Sequence, residues 1–121
     1  MKLLLGTILI LLSLVTHAES HTWTSEEKAW GATAGVLLLG DWATTHNMTH
    51  RYNENYYETN PLLGRRPTAN RVNLYFLTVP PIVFLTADYF GDYRKEILQA
   101  TSALELIIVG NNLRIGLHFQ F

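Results

Sequence analysis

A chain of 121 residues without cysteine has room for one domain, and it excludes disulfides, thiolate metal sites, a cysteine nucleophile and a cysteine-linked lipid anchor. Lys and Arg number 9 against 10 Asp and Glu, for a formal net charge of -1. Arg65 and Arg66 are the only adjacent arginines, so there is no concentrated cationic face for phosphate and nucleic acid is not an expected partner.

Met1 and Lys2 precede an apolar run from Leu3 to Val15, followed by Thr16, His17 and Ala18. A positive start, a short apolar middle and small residues before a break predict a signal peptide over residues 1–18, cleaved to leave Glu19. The run is shorter than the roughly 20 residues a membrane-spanning helix needs; an uncleaved anchor is the alternative. Residues 19–121 then form a single helical, membrane-associated domain.

Thr24 to Glu27 carry a capping-box spacing, with Glu26 and Glu27 at the positive end of a helix dipole, so a first helix is expected to start there. It runs through an apolar stretch from Ala29 to Gly40 and on past Asp41 toward Met48. Gly31 and Gly35 form a G-x-x-x-G pair, a helix-packing face that lets a second backbone approach closely. Asp41 falls on the inside of an apolar element, one turn from Thr45.

The segment after Met48 is too polar to cross a membrane, and Asn60-Pro61 and Arg66-Pro67 mark turns in it. Tyr52, Tyr56 and Tyr57 are amphipathic rings suited to a membrane surface or a partner surface. His46, His50, Glu54 and Glu58 recur every four residues. If the first helix continued, they would share a face able to hold zinc, with His46, His50 and Glu54 as the metal candidates and a solvated face as the plain alternative. Neither a G-x-S-x-G elbow nor a Gly-rich phosphate loop occurs, so an enzyme is not favoured and no cofactor is expected.

Thr68 is placed to cap a second helix, apolar from Val72 to Tyr89, with Pro80 and Pro81 in its middle. Two missing amide donors predict a kink there, or two shorter helices. Asp88 sits near its end, where a wetted carboxylate is expected. Gly91 closes the element and Asp92 is the expected cap of a third helix, from about Tyr93 to Val109, stopped by Gly110, Asn111 and Asn112. Thr101, Glu105 and Asn112 share a stripe of that helix. Asp41 and Glu105 are acids in apolar surroundings that need partners or protons, and Arg71 and Arg94 are the nearest expected counter-charges by position. From Leu113 to Phe121 apolar and polar residues alternate, which predicts a short strand-like tail; its terminal Phe resembles the closing signal of outer-membrane barrels.

The expected architecture is all-α: a three-helix membrane-associated bundle with a strand-like tail. With a cleaved signal the N-terminus starts outside and the Asp41-to-Arg71 connection, carrying Arg51, Arg65, Arg66 and Arg71, falls inside; Arg94 and Lys95 in the second connection argue against that orientation. A compact periplasmic bundle is the competing layout.

Glu58-Thr59-Asn60-Pro61-Leu62-Leu63-Gly64, with Pro67, Arg71-to-Phe76, and Asp41 with Thr45 four residues on, resembles a motif of small uncharacterised membrane proteins of bacteria and their phages. The resemblance also touches Glu105, Asn112 and the aromatic tail. It implies a polar cluster of Asp41, Thr45, Glu58, Asn60, Glu105 and Asn112, a turn in which Glu58 and Asn60 reach back to cap helix ends, and no known activity. The functional expectation is a small envelope protein, in the inner membrane, that packs against another membrane protein or itself. A membrane-embedded hydrolase or metal site using Asp41, His46, His50 and Glu58 is one alternative; an outer-membrane component is another.

Overall fold

The computed structural model describes residues 22–121, so the expected signal peptide over 1–18 lies outside the described residues. The described chain is all-helical: α1 (Ser25–Thr49), α2 (Ala69–Tyr89) and α3 (Arg94–Arg114), with short 3-10 turns at Tyr52–Glu54 and Gly91–Tyr93. No strand occurs among the described residues.

Local chemistry starts the first two helices as expected. The Glu27 amide donates to Thr24 Oγ1 at 3.1 Å and the Thr24 amide to Glu27 Oε2 at 2.8 Å, a complete capping box. Thr68 Oγ1 accepts from the Arg71 amide at 3.2 Å and opens α2. The third helix departs from expectation at both ends. Asp92 does not cap it but lies inside the 3-10 turn that leads into Arg94. At the far end Gly110 stays within the helix, which continues to Arg114 and stops where Gly116 adopts a φ of +99°.

That extension consumes Leu113 and Arg114, the first residues of the expected strand. The remaining tail lies along α1, with the Gln120 amide donating to Ala43 O at 3.1 Å and the His118 amide to Asn47 Oδ1 at 3.0 Å. A helix face offers no ladder of free backbone groups, so the alternating pattern has no partner strand to pair with. Leu117 is nevertheless buried, at 2% exposure.

Pro80 and Pro81 sit inside a single uninterrupted α2. The hydroxyls of Thr78 and Thr86 bond the carbonyls of Leu74 and Ile82, one turn back on the same helix. The residues joining α1 to α2 are held down by their aromatics and arginines: Arg51 lies over the Tyr56 ring, Arg65 over Tyr57 and Arg66 over Tyr52. The three tyrosines expected at a membrane or partner surface are thus stacked within their own segment.

The helices run up, down and up. Glu27 at the start of α1, Asp88 at the end of α2 and Arg94 at the start of α3 meet at one end of the bundle. Asp41, Thr44 and Asn112 meet toward the other, so α1 and α3 are parallel, with the most extensive interface in the fold between them. Ala34, Ala87 and Leu98 form a tight apolar core at the Arg94 end, flanked by Trp23, Trp30, Phe84 and Ile97. Gly31 is covered from within, since a Cβ there would stand 3.1 Å from Trp23 Cζ3, whereas one on Gly35 would meet only Phe84 Cζ, at 3.8 Å. The close approach read from the sequence is therefore made by α2 and Trp23 of the same chain.

Outside this interior many large apolar side chains stay on the surface. Val36 on α1, Leu74 and Leu77 on α2, and Leu104, Leu106 and Ile107 on α3 are all more than half exposed. Among the described residues α2 is the helix long and apolar enough to cross a membrane, and only 11% of that stretch is buried inside the protein.

Candidate functional site

Spacing of four on a helix puts Asp41 and Thr45 on one stripe of α1, and spacing of seven puts Glu105 and Asn112 on one stripe of α3. Because α1 and α3 pack in parallel, the two stripes face each other. Thr45 Oγ1 donates to Asp41 Oδ1 at 3.0 Å. Asn112 Nδ2 donates to Thr44 Oγ1 at 2.9 Å and reaches Asp41 Oδ1 at 3.5 Å. The Thr44 hydroxyl in turn donates back to the carbonyls of Gly40 and Asp41.

Glu105 comes to the same space as Asp41 from the other side of the α1–α3 interface. Ionised carboxylates only accept, so neither of these acids supplies a donor to the other in its charged form. Each of the two residues is 8% exposed, and Glu105 Oε2 is shielded from solvent with no hydrogen-bond donor among the described residues. Thr101, on the same stripe one turn earlier, bonds the carbonyl of Ile97 in its own helix.

The connector roofs this pair. Glu58 Oε1 accepts from the amides of Thr59 and Asn60, both at 2.9 Å, and Asn60 Oδ1 accepts from the Leu62 amide at 3.0 Å. These bonds build the Asn-Pro turn itself, with Gly64 at a φ of +81°, and do not cap a helix end as expected. The turn pushes Leu63 inward to 2% exposure. In this way Asp41, Thr45, Glu58, Asn60, Glu105 and Asn112 come to line one cleft of about 460 Å³, closed on the α2 side by Tyr75. Helical spacing and acid placement do not point to Thr44, and Tyr75 stands in the sequence only as part of the Arg71-to-Phe76 stretch. Thr44 stands beside Thr45, but its role depends on Asn112, and Tyr75 joins the cleft because α2 crosses at that height.

The expected counter-charges are elsewhere. Arg94 is 1% exposed and serves the opposite end of the bundle: Nη1 lies 3.1 Å from Glu27 Oε2, Nη2 lies 3.5 Å from Asp88 Oδ1, and Nε donates to Ala87 O. Its guanidinium lies over Trp23, whose Nε1 donates to Asp88 Oδ1 at 2.7 Å. Asp88 is therefore a bonded member of this cluster and not simply a wetted helix end. Arg71 donates to the carbonyl of Leu62 on the outside of the turn. None of the ion pairs among the described residues includes Asp41, Glu58 or Glu105.

The expected metal face does not assemble. The α1 helix stops at Thr49, His50 is its cap, and Asn55 turns the chain with a φ of +66°, so the four-residue repeat loses its common face. Glu54 is taken by Arg51, at 2.6 Å. His46 stacks on Trp42 and its Nδ1 lies 3.3 Å from Gln120 O. Among the described residues no group of three or more His, Asp or Glu is placed to hold a metal ion.

No family model, curated protein or solved structure matches this chain.

Proposed function

We propose that this chain is a small integral protein of the bacterial cell envelope, inserted in the inner membrane, where it works by packing against another membrane protein or a second copy. One observation carries the reading: α2, about 32 Å long at 1.5 Å per residue, is long and apolar enough to cross a membrane yet hardly buried by its own protein. Water would leave that surface unsatisfied, whereas lipid or an apolar neighbour covers it. Near the middle of the bundle Asp41, Thr44 and Thr45 of α1 turn inward and Asn112 of α3 bonds to them, as acids and amides do inside a bilayer.

The connector with Arg51, Arg65, Arg66 and Arg71 lies on the cytoplasmic side under this proposal. The cations that argue against that orientation, Arg94 and Lys95, are both matched by acids, Arg94 by Glu27 and Asp88 and Lys95 by Glu26 at 2.9 Å. With Gly31 covered by its own chain, the partner surface moves to the apolar groove of Gly35, Leu39, Trp42, Phe76 and Leu77 between α1 and α2. A phage-style role in modifying the host envelope is supported by the motif resemblance alone.

Fractionation of an epitope-tagged chain, with alkaline carbonate washing and protease access from each side, tests the proposal. Retention in the inner-membrane pellet is expected, with the connector protected from external protease. Release by carbonate would replace it with a periplasmic bundle.

A further inference from the structure

We propose that His46 and His50, where α1 enters the connector, form a two-imidazole site for a divalent transition-metal ion of the zinc and copper class. The four-residue repeat loses Glu54 and Glu58 once α1 stops, but its first two members keep their helical relationship. Spacing of four places both rings on one face, one turn apart. His50, the cap, retains right-handed helical dihedrals, and its Nδ1 lies 3.0 Å from the His46 carbonyl oxygen, which folds the ring back toward His46. His46 Nδ1 lies 3.3 Å from Gln120 O.

Both contacts are to carbonyl oxygens, which only accept. In the neutral rings each Nδ1 therefore carries the hydrogen and each Nε2 the lone pair. Metal-ligating histidines are held in this way, with the other ring nitrogen donating to a carbonyl that fixes tautomer and ring direction. Two imidazoles that share one tetrahedral ion through Nε2, at about 2.0–2.1 Å each, have ring centroids about 5 Å apart. The His46 and His50 centroids are 5.0 Å apart.

The surroundings suit a cation. Both rings stand at the carbonyl end of α1, where the helix carries partial negative charge. The adjacent cation, Arg51, is paired with Glu54 at 2.6 Å. His50 is exposed and His46 half-buried, so an ion reaches the pair from solvent. Imidazole nitrogens select zinc, copper or nickel over magnesium and calcium, which take oxygen. Among the described residues no third His, Asp or Glu joins the pair, so the remaining positions of the ion stay open to water or to a donor from elsewhere.

The test uses the purified full chain in detergent, without a polyhistidine tag, titrated with zinc chloride by calorimetry and followed by thermal melting and nitrogen NMR of the imidazoles. One zinc per pair is expected, with a raised melting temperature and with the shifts of His46 and His50 at Nε2. Magnesium chloride should produce neither effect. His50→Gln, at an exposed position, and His46→Gln should each weaken zinc at least about tenfold with the helical signal unchanged. His118→Gln, outside the pair, should leave the affinity as it is. His46 also stacks on Trp42 and meets the tail, so if its variant does not fold, His50→Gln decides by itself. Equal zinc affinity in the His50→Gln chain, an equal loss in the His118→Gln chain, shifts at Nδ1, or no binding would overturn the proposal and leave a stacked histidine pair without a ligand. The titration is independent of membrane fractionation, so its failure and that of the envelope reading are distinguishable.

Discussion

Arg94 and Glu27 stand 67 positions apart in the chain, yet Arg94 Nη1 lies 3.1 Å from Glu27 Oε2. The same guanidinium holds Asp88 and the last carbonyls of α2, so one side chain closes one end of all three helices. Glu27 does two things at once there, since its Oε2 also accepts from the Thr24 amide.

A buried cation with two acid partners predicts a steep cost for its removal. Arg94→Ala leaves Glu27 and Asp88 facing each other unpaired and should destabilise the protein by about 3–5 kcal/mol, read by chemical or thermal unfolding in detergent. Arg94→Lys keeps the charge but loses the fork that reaches both acids and the Ala87 carbonyl, and an intermediate loss is expected. A neutral result for Arg94→Ala would show that the cluster does not clamp the helices.

The opposite end contains the reverse situation, acids without a cation. Asp41→Asn keeps an oxygen for the Thr45 hydroxyl and supplies an amide donor toward Glu105. It is expected to leave stability unchanged or raise it by about 1 kcal/mol in the same unfolding experiment. Asn112→Leu should lower it by about 1–2 kcal/mol, because Thr44 and Asp41 lose their bonds across the α1–α3 interface.

One side-chain amide makes two of the bonds that tie the tail to α1, beside the Gln120 amide bond to Ala43 O. Asn47 Nδ2 donates to Gln120 Oε1 at 2.8 Å and Asn47 Oδ1 accepts from the His118 amide at 3.0 Å. Asn47→Ala should therefore loosen residues 118–121, seen as faster hydrogen exchange at His118 and earlier cleavage by carboxypeptidase, with α1 and α3 still folded. Protection equal to that of the unaltered chain would contradict this anchoring.

Arg51 and Glu54 give a pH prediction outside the helices. The hydrogen bond from Arg51 holds the Glu54 carboxyl below its ordinary value. A depressed carboxyl contributes stability above its unfolded pKa, about 4.3, and loses that contribution as pH falls through the lower folded value. Carbon NMR should find the Glu54 titration below that of a free glutamate in the unaltered chain, and Arg51→Gln should return it to the ordinary range. An ordinary titration in both chains would show that the pair does not persist in solution.

What short stretches of sequence could settle is what depends on neighbours three or four residues away. The Thr24–Glu27 box, the Thr68 cap and the inward placement of Asp41, Thr45, Glu105 and Asn112 follow from helical spacing and capping chemistry, which act within a turn. The alternating tail misled because a strand pattern specifies only one edge of a pair, and α3 extended into it while α1 offered a helix face. The His46, His50, Glu54 and Glu58 repeat failed for a related reason, since its period has meaning only if the helix continues past Thr49.

Tertiary structure alone decided who meets whom. Whether Arg94 neutralises Asp41 or Glu27 depends on the parallel register of α1 and α3, and whether Gly31 admits another protein or its own Phe84 depends on where α2 crosses. No local preference encodes those choices. They come from packing small residues such as Ala34 and Ala87 at one end, and that register is what leaves Glu105 facing an acid and a cleft at the other.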